Sequence, residues 1–460
     1  MRGYDRTLWC KLGKDKSRVR TSRLFSGALA HGIPALLAAM LAGGGAAAAD
    51  LTTTKEPPPP PTWWSTITVN GEIEAGIMGN PDSPPSGLNW GHLFTDRANE
   101  PLFNQGLLTI QRPIDSSKAQ YDVGFVLQVM YGSDARSARF LGECDYCINS
   151  LYQVALEQAF IQAHTPWVFP GGIDWKVGSW PGLEGIETIE ADTNLFYSHS
   201  YLSNYSEPFF ETGVLAISHI NPTLDIYTGI SSGESTTLVP YIGDNNNAPA
   251  FDGGIGLNNL GPKGSVTVLA TTHIGPEDPY PFYGPPANSK LRYVNDLTVT
   301  WKATDKLTLQ LDGNYLYDSL LRADAYGAAG YASYQTPWDW LKINGRAEVY
   351  RDDQGAFVAA FPGYFDYVNL LHGYTVAPGI LPGIVQAPTT YLELTAGLNI
   401  TPTIPASIPY LKGVIFRPEV RYDTSLNGTT PFDLVQTGPA SGFGTKSSQV
   451  TIGGDIVLKF

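Results

Sequence analysis

The sequence predicts an all-β fold: a transmembrane antiparallel up-and-down β-barrel of about 16 strands with a long, inward-folding third external loop. Three observations carry this expectation. Segments of about ten residues with alternating apolar and polar character recur sixteen times. The connections between them alternate between short and long without a break. The composition disfavours the other membrane and soluble classes: of 460 residues 12% are aromatic and only 16% charged, with 49 Gly and 35 Pro. Such a chain is too apolar for disorder and too rich in helix breakers for a helical bundle. Beyond residue 50 it also lacks any apolar run near the ~20 residues of a spanning helix. A closed barrel is the other structure that satisfies its backbone in lipid.

The elements follow in chain order. Arg18, Arg20 and Arg23 precede a weakly apolar stretch, Leu24 to Leu41, and then the small residues Ala46 to Ala49 before Asp50. That is the layout of an export signal, so residues 1–49 read as a cleaved signal peptide. Gly27, Gly32 and Pro34 interrupt the apolar run and disfavour a membrane anchor. Without the leader the chain holds 21 basic and 41 acidic residues, a net charge of −20. So acidic a protein is a poor partner for nucleic acid. Residues 50–63, with five consecutive prolines from Pro57 to Pro61, read as a stiff periplasmic spacer. The barrel is expected over 64–460.

Its strands are expected at 66–77, 105–112, 120–131, 153–163, 173–180, 210–219, 223–231, 250–257, 264–273, 292–302, 306–317, 325–334, 341–351, 389–400, 411–423 and 447–460. Tight turns such as Asn221-Pro222 and Ala303-Thr304-Asp305 alternate with long connections such as 78–104, 132–152, 181–209 and 352–388. An outer-membrane barrel sorts its loops in this way, short on the periplasmic side and long outside. A Greek-key sandwich has no reason to do so. Within the strands one face is apolar and the other charged. Phe416, Val420 and Tyr422 oppose Arg417, Glu419, Arg421 and Asp423, and Ile452 and Ile456 oppose Thr451 and Asp455. Charges well inside long strands suit a polar lumen. Trp63, Trp64, Trp167, Trp301, Trp338 and Trp340 cluster at the short-turn end, where indole rings favour a membrane interface.

Cys10 leaves with the leader, so only Cys144 and Cys147 remain, in the second long connection. In an exported protein this C-D-Y-C pair reads as a local disulfide. A zinc site would need two further ligands, and no second C-x-x-C or H-x3-H supplies them. No G-x-S-x-G, H-E-x-x-H or P-loop word occurs, and Ser198-His199-Ser200 alternates its side chains along an extended chain. Neither catalysis nor a cofactor or metal is expected.

Two stretches resemble a known family. They are KVGSWPGLEGIETIEADTNLFYSHSYL, from Lys176 to Leu202, and RPEVRYD, from Arg417 to Asp423, with SQVTIGGDIVLKF closing the chain at Phe460. Together they resemble the OmpL-like beta-barrel porin family of Gram-negative outer membranes. The resemblance implies a porin admitting small hydrophilic solutes, in contact with outer-membrane lipid and lipopolysaccharide. It also implies assembly by the barrel-assembly machinery through the C-terminal strand, and it is compatible with a homo-oligomer. Other readings of the barrel are a surface adhesin or ligand-binding barrel that uses its long loops, and a lipid hydrolase.

Within loop 181–209 the acids Glu184, Glu187, Glu190 and Asp192 crowd together, followed by Asn194. By analogy with general porins this loop is expected to fold inward as the pore constriction. Arg346, Glu348, Arg417, Glu419, Arg421 and Asp423 are expected to line the opposite wall. Basic wall against acidic loop would set up a transverse field, with the acids narrowly ahead and a weak cation preference. Alternatively the strand charges pair with one another and stiffen the wall.

Overall fold

The computed structural model describes residues 62–116, 120–141, 143, 151–238, 243–361, 384–435 and 443–460. The expected leader, most of the proline spacer and the pair Cys144 and Cys147 lie outside the described residues.

The strands are β1 (Thr68–Gly79), β2 (Pro101–Arg112), β3 (Asp122–Gly132), β4 (Gln153–Thr165), β5 (Ile173–Pro181), β6 (Phe210–Asn221), β7 (Leu224–Ser231), β8 (Ala250–Leu260) and β9 (Val266–Gly275). Then come β10 (Arg292–Lys302), β11 (Leu307–Asp318), β12 (Ala323–Gln335), β13 (Leu341–Asp352), β14 (Ala359–Ala360), β15 (Ile384–Val385), β16 (Thr389–Ile400), β17 (Gly413–Ser425) and β18 (Ser448–Lys459). All except β14 and β15 form one closed antiparallel barrel, in which each strand pairs with its neighbours along the chain. Closure runs from Glu72 opposite Lys459 to Gly79 opposite Ile452, so no strand edge is left for lipid to solvate.

These are the sixteen strands expected from the sequence, with ends moved by a few residues. The largest shift is at β2, which starts at Pro101 rather than Gln105. Proline has no N–H to give a ladder and is tolerated as the first residue of a strand. The pair β14–β15 has no counterpart in the sequence reading, because two residues per strand are too few to show a period.

The alternation of faces is realised along the wall. On β17 Arg417, Glu419, Arg421 and Asp423 are buried inside while Phe416, Val420 and Tyr422 are exposed outside. On β11 Asp312 and Asn314 are buried and Leu311 and Tyr315 exposed. The exposed apolar side chains form the surface that a bilayer covers. At the short-turn end Trp64, Trp167, Trp301, Trp338 and Trp340 are exposed. Trp63 donates from Nε1 to the Val123 carbonyl at 2.9 Å, and Trp167 donates to the Tyr121 hydroxyl at 2.7 Å. Each ring thus combines an apolar body with a satisfied polar tip.

The apolar core lies inside the barrel. Leu88 and Trp90 from the first long loop, Phe196, Tyr201, Leu202 and Tyr205 from the third, and Phe432 and Leu434 from the last pack against Tyr331, Tyr350 and Tyr391 of the wall. Part of the lumen is therefore filled by packed loops.

Candidate functional site

Loop 182–209 is built by its own side chains before it meets the wall. The Asn194 side chain accepts from the Thr188 N–H at 2.9 Å and donates back to the Thr188 carbonyl at 2.6 Å, closing a turn around the acidic run. A short helix follows, Tyr201–Tyr205, capped by the Ser200 hydroxyl, which accepts from the Ser203 N–H at 3.1 Å.

The wall completes the loop's hydrogen bonding. Glu348 accepts from the Tyr201 and Leu202 N–H groups at 2.7 and 2.8 Å, the orphan donors of the helix's first turn. Glu419 accepts from the N–H groups of Tyr197 at 2.8 Å and Ser198 at 3.2 Å. Arg346 pairs with Glu187 at 2.5 Å and Glu393 at 3.0 Å, and donates to the Ser198 carbonyl at 2.8 Å. Arg417 holds Asp455 and Glu74 and donates to the Asn194 carbonyl at 3.1 Å. Arg421 pairs with Asp423 at 2.7 Å and donates to the His199 carbonyl at 2.6 Å. The six expected wall residues and the loop thus meet in one buried network, apart from Asp423, which reaches the loop through Arg421. They do not face it across open water, because a buried loop's peptide groups need partners and these charges supply them.

The four loop acids have different surroundings. Glu187 is spent on Arg346 and on the Ser200 N–H at 2.7 Å. Burial alone would raise its pKa, but the Arg346 guanidinium outweighs this and holds it below the usual carboxylate range. Glu190 accepts from Gln158 Nε2 at 2.8 Å. Asp192 forms an ion pair with Lys459, and its N–H donates to Glu72 at 3.2 Å. Glu184 is buried, and neither of its carboxylate oxygens has a hydrogen-bond partner among the described residues. Burial pushes it up to about 7.

The sequence reading did not identify the first long loop as part of this site. Trp90 donates from Nε1 to the Tyr391 hydroxyl at 3.2 Å, while Gln449 donates to the Trp90 carbonyl at 2.6 Å. Gly91 adopts φ +78°, and a Cβ there would meet the Tyr201 ring at 2.5 Å, so only glycine lets the two loops approach so closely. Tyr201 stacks on Tyr391 at 4.6 Å, with the Arg421 guanidinium 5.2 Å from its own ring centre. His92 shares a hydrogen bond with Thr95 through Nδ1 at 2.8 Å, and its Nε2 lies 3.7 Å from Asp423. Burial, reinforced by Arg421, pushes His92 down to about 4, so the ring is neutral at physiological pH. The signal available in the sequence was the apolar run Leu88, Trp90, Leu93 and Phe94 inside a connection.

Two cavities adjoin the loop. One, of about 960 Å³, is lined by Glu72, Gln128, Gln158, Glu190, Asp192 and Lys459. The other, of about 180 Å³, is walled by Glu157, Glu184, Glu187, Glu190 and Glu207.

A closed sixteen-strand barrel with an apolar outer face, a charged inner face and long loops packed beside a cavity lined by charged side chains defines a porin-class channel of the outer membrane. The chain belongs to the family described as "Putative beta-barrel porin-2, OmpL-like", whose family model matches residues 66–460. Among solved structures it is similar to the outer-membrane channel DcaP of Acinetobacter baumannii, at 11% identity and a TM-score of 0.48 over 86% of this chain and 97% of that one. It is also similar to an anion-selective porin from Comamonas acidovorans, at 9% identity and a TM-score of 0.49 over 86% and 99% of the two chains. Pseudomonas putida OprB is similar at 13% identity and a TM-score of 0.49, over 86% and 94%. No curated protein matches the chain in sequence.

Proposed function

We propose that small hydrophilic solutes and ions diffuse passively through this barrel past loop 182–209, which acts as the constriction, with Glu190 and Asp192 on the open path. The observation that carries this reading is the cavity of about 960 Å³ bounded by those two acids and by Lys459. Charged and amide side chains line it beside apolar ones, and it is large enough for a hydrated solute, since one water takes about 30 Å³ in the liquid. The remaining loop charges are tied up in ion pairs or buried, so they set the loop's position and leave the contact with solute to Glu190 and Asp192. The proposed route to the outer membrane is export by leader 1–49 and assembly through the strand that ends in Phe460. Lipid and lipopolysaccharide would cover the apolar face.

An adhesin reading asks the long loops to project outward. Residues 88–96 and 198–212 are largely buried, which favours a role inside the barrel. The test is conductance of the purified protein in a planar bilayer. A channel gives steady steps with a reversal potential in a salt gradient. Absence of steps from protein with the heat-dependent gel mobility of a folded barrel would overturn the proposal.

A further inference from the structure

On the inner wall, Asp296 of β10 and Asp312 of β11 sit on one face, and Glu207 of loop 182–209 reaches them. Ligand oxygens of the three lie within 4.8 Å of one another, and all three residues are buried. Their existing partners are few. Asp296 accepts from the Gly185 N–H and from Asn314 Nδ2, both at 3.2 Å, and Asp312 accepts from the Ile186 N–H at 3.2 Å. Among the described residues Glu207 Oε1 and Asp312 Oδ1 have no hydrogen-bond partner. No ion pair joins any of the three to a Lys, Arg or His among the described residues. The basic groups of the neighbouring clusters are already held, Arg346 by Glu187 and Glu393, and His273 by Asp252 and Glu277.

A second observation points to a ligand here. Glu184 is 7% exposed, both of its carboxylate oxygens lack a partner, and it lines with Glu207 the cavity of about 180 Å³. Glu157 also lines that cavity, with neither oxygen hydrogen-bonded among the described residues. It is the extra residue of a bulge, because Gln128 pairs with Gln158 and Val129 with Leu156. Bulges commonly re-aim a side chain in this way. Buried carboxylates without hydrogen-bond partners are costly whenever they are charged, and a cation held among them removes that cost.

We infer that Glu207, Asp296 and Asp312 bind a divalent cation of the calcium type, which fastens the C-terminal arm of loop 182–209 to β10 and β11. The donors are all carboxylate oxygens, the hard set that alkaline-earth ions prefer. Three carboxylates from separate elements suit Ca²⁺, whose coordination is flexible, better than Mg²⁺, which demands a near-ideal octahedron and is usually held by only one or two carboxylates. The adjoining cavity has room for the waters that complete the shell. The ion would complement Arg346, which holds the middle of the same loop.

The test uses the full-length mature protein in detergent, stripped with EDTA and titrated with Ca²⁺ by calorimetry, with bound metal counted by mass spectrometry. One Ca²⁺ per chain is expected, bound about tenfold or more tighter than Mg²⁺. Asp312→Asn and Glu207→Gln should each weaken binding about tenfold or more, while Asp305→Asn in a distant turn should leave it unchanged. Barrel folding of each variant is checked by heat-dependent mobility. If either variant fails to fold, the stripped wild-type protein still decides, since a site that fastens the loop must make chymotrypsin cleavage within 182–209, after residues such as Phe196, Tyr197 or Tyr205, slower when Ca²⁺ is added. No saturable Ca²⁺ binding to the stripped protein, or equal binding by folded Asp312→Asn and Glu207→Gln proteins, would overturn the inference.

Discussion

Glu187 of the third loop and Arg346 of β13 stand 2.5 Å apart, both buried, and tie the middle of the loop to the barrel wall. The same guanidinium reaches Glu393 on β16 and the Ser198 carbonyl, so one side chain joins two strands and the loop. Arg346→Gln leaves two buried carboxylates without their partner. Loss of one member of a buried pair costs about 3–5 kcal/mol. That cost falls on loop docking more than on the barrel, whose ladder remains intact. The expected outcome is a noisier channel with larger conductance and a normal heat-dependent mobility.

Trp90 extends the same argument to the first loop. Its indole is fully buried against Tyr391 and the Tyr201 cluster. Trp90→Ala removes a large aromatic ring, at a cost of about 3–5 kcal/mol. Trypsin should then cleave near Arg97 in protein embedded in vesicles, where the wild-type loop is protected. Equal protection of both proteins would mean that Trp90 does not anchor the loop.

A pH response follows from His92. Its pKa is lowered in the folded state, to about 4 from an ordinary value near 6.5, first by burial and then by Arg421, with Asp423 and the Thr95 hydroxyl as its other polar neighbours. Between these values the released loop binds a proton and the docked loop does not. Docking is therefore full above about pH 6.5 and weakens as pH falls toward 4, by up to about 3 kcal/mol at about 1.4 kcal/mol per unit. Channel fluctuations should increase from pH 7 to pH 4.5, and His92→Gln should flatten the response. A profile unchanged by that substitution would assign the titration elsewhere.

The sequence revealed the wall better than the lumen. A period of two over ten residues is a local property, so each of the sixteen strands could be read from its own segment, down to the inward placement of Arg417 and Arg421. Partnership is not local. Glu187 and Glu190 lie three residues apart in one acidic run, yet one is buried against Arg346, 159 positions away, and the other lines the larger cavity. Only the folded loop separates them. Trp90 was overlooked for a related reason: an apolar run inside a connection has no period to announce its face, and its partners Tyr201 and Tyr391 come from distant elements.

The last prediction concerns ion selectivity and depends on that separation. Glu187, Arg346, Arg417 and Arg421 are neutralised in pairs, so they contribute little net field along the path. The side chains that face the larger cavity are Glu72, Glu190 and Asp192, against Lys412 and Lys459. Low-dielectric walls focus the field of such groups and concentrate the opposite ion. Three acids against two bases give a weak preference for cations. It should fade as salt rises, because the Debye length shrinks from about 10 Å at 0.1 M to about 3 Å at 1 M. Asp192 is paired with Lys459, so neutralising either one leaves the other free to act. Glu190→Gln should move the reversal potential toward zero, and Asp192→Asn should move it further by releasing Lys459. Lys459→Gln should raise cation preference, and Glu187→Gln should change channel noise while leaving selectivity nearly as it was. A reversal potential that follows Glu187 and ignores Glu190 would place the permeation path on the other side of the loop.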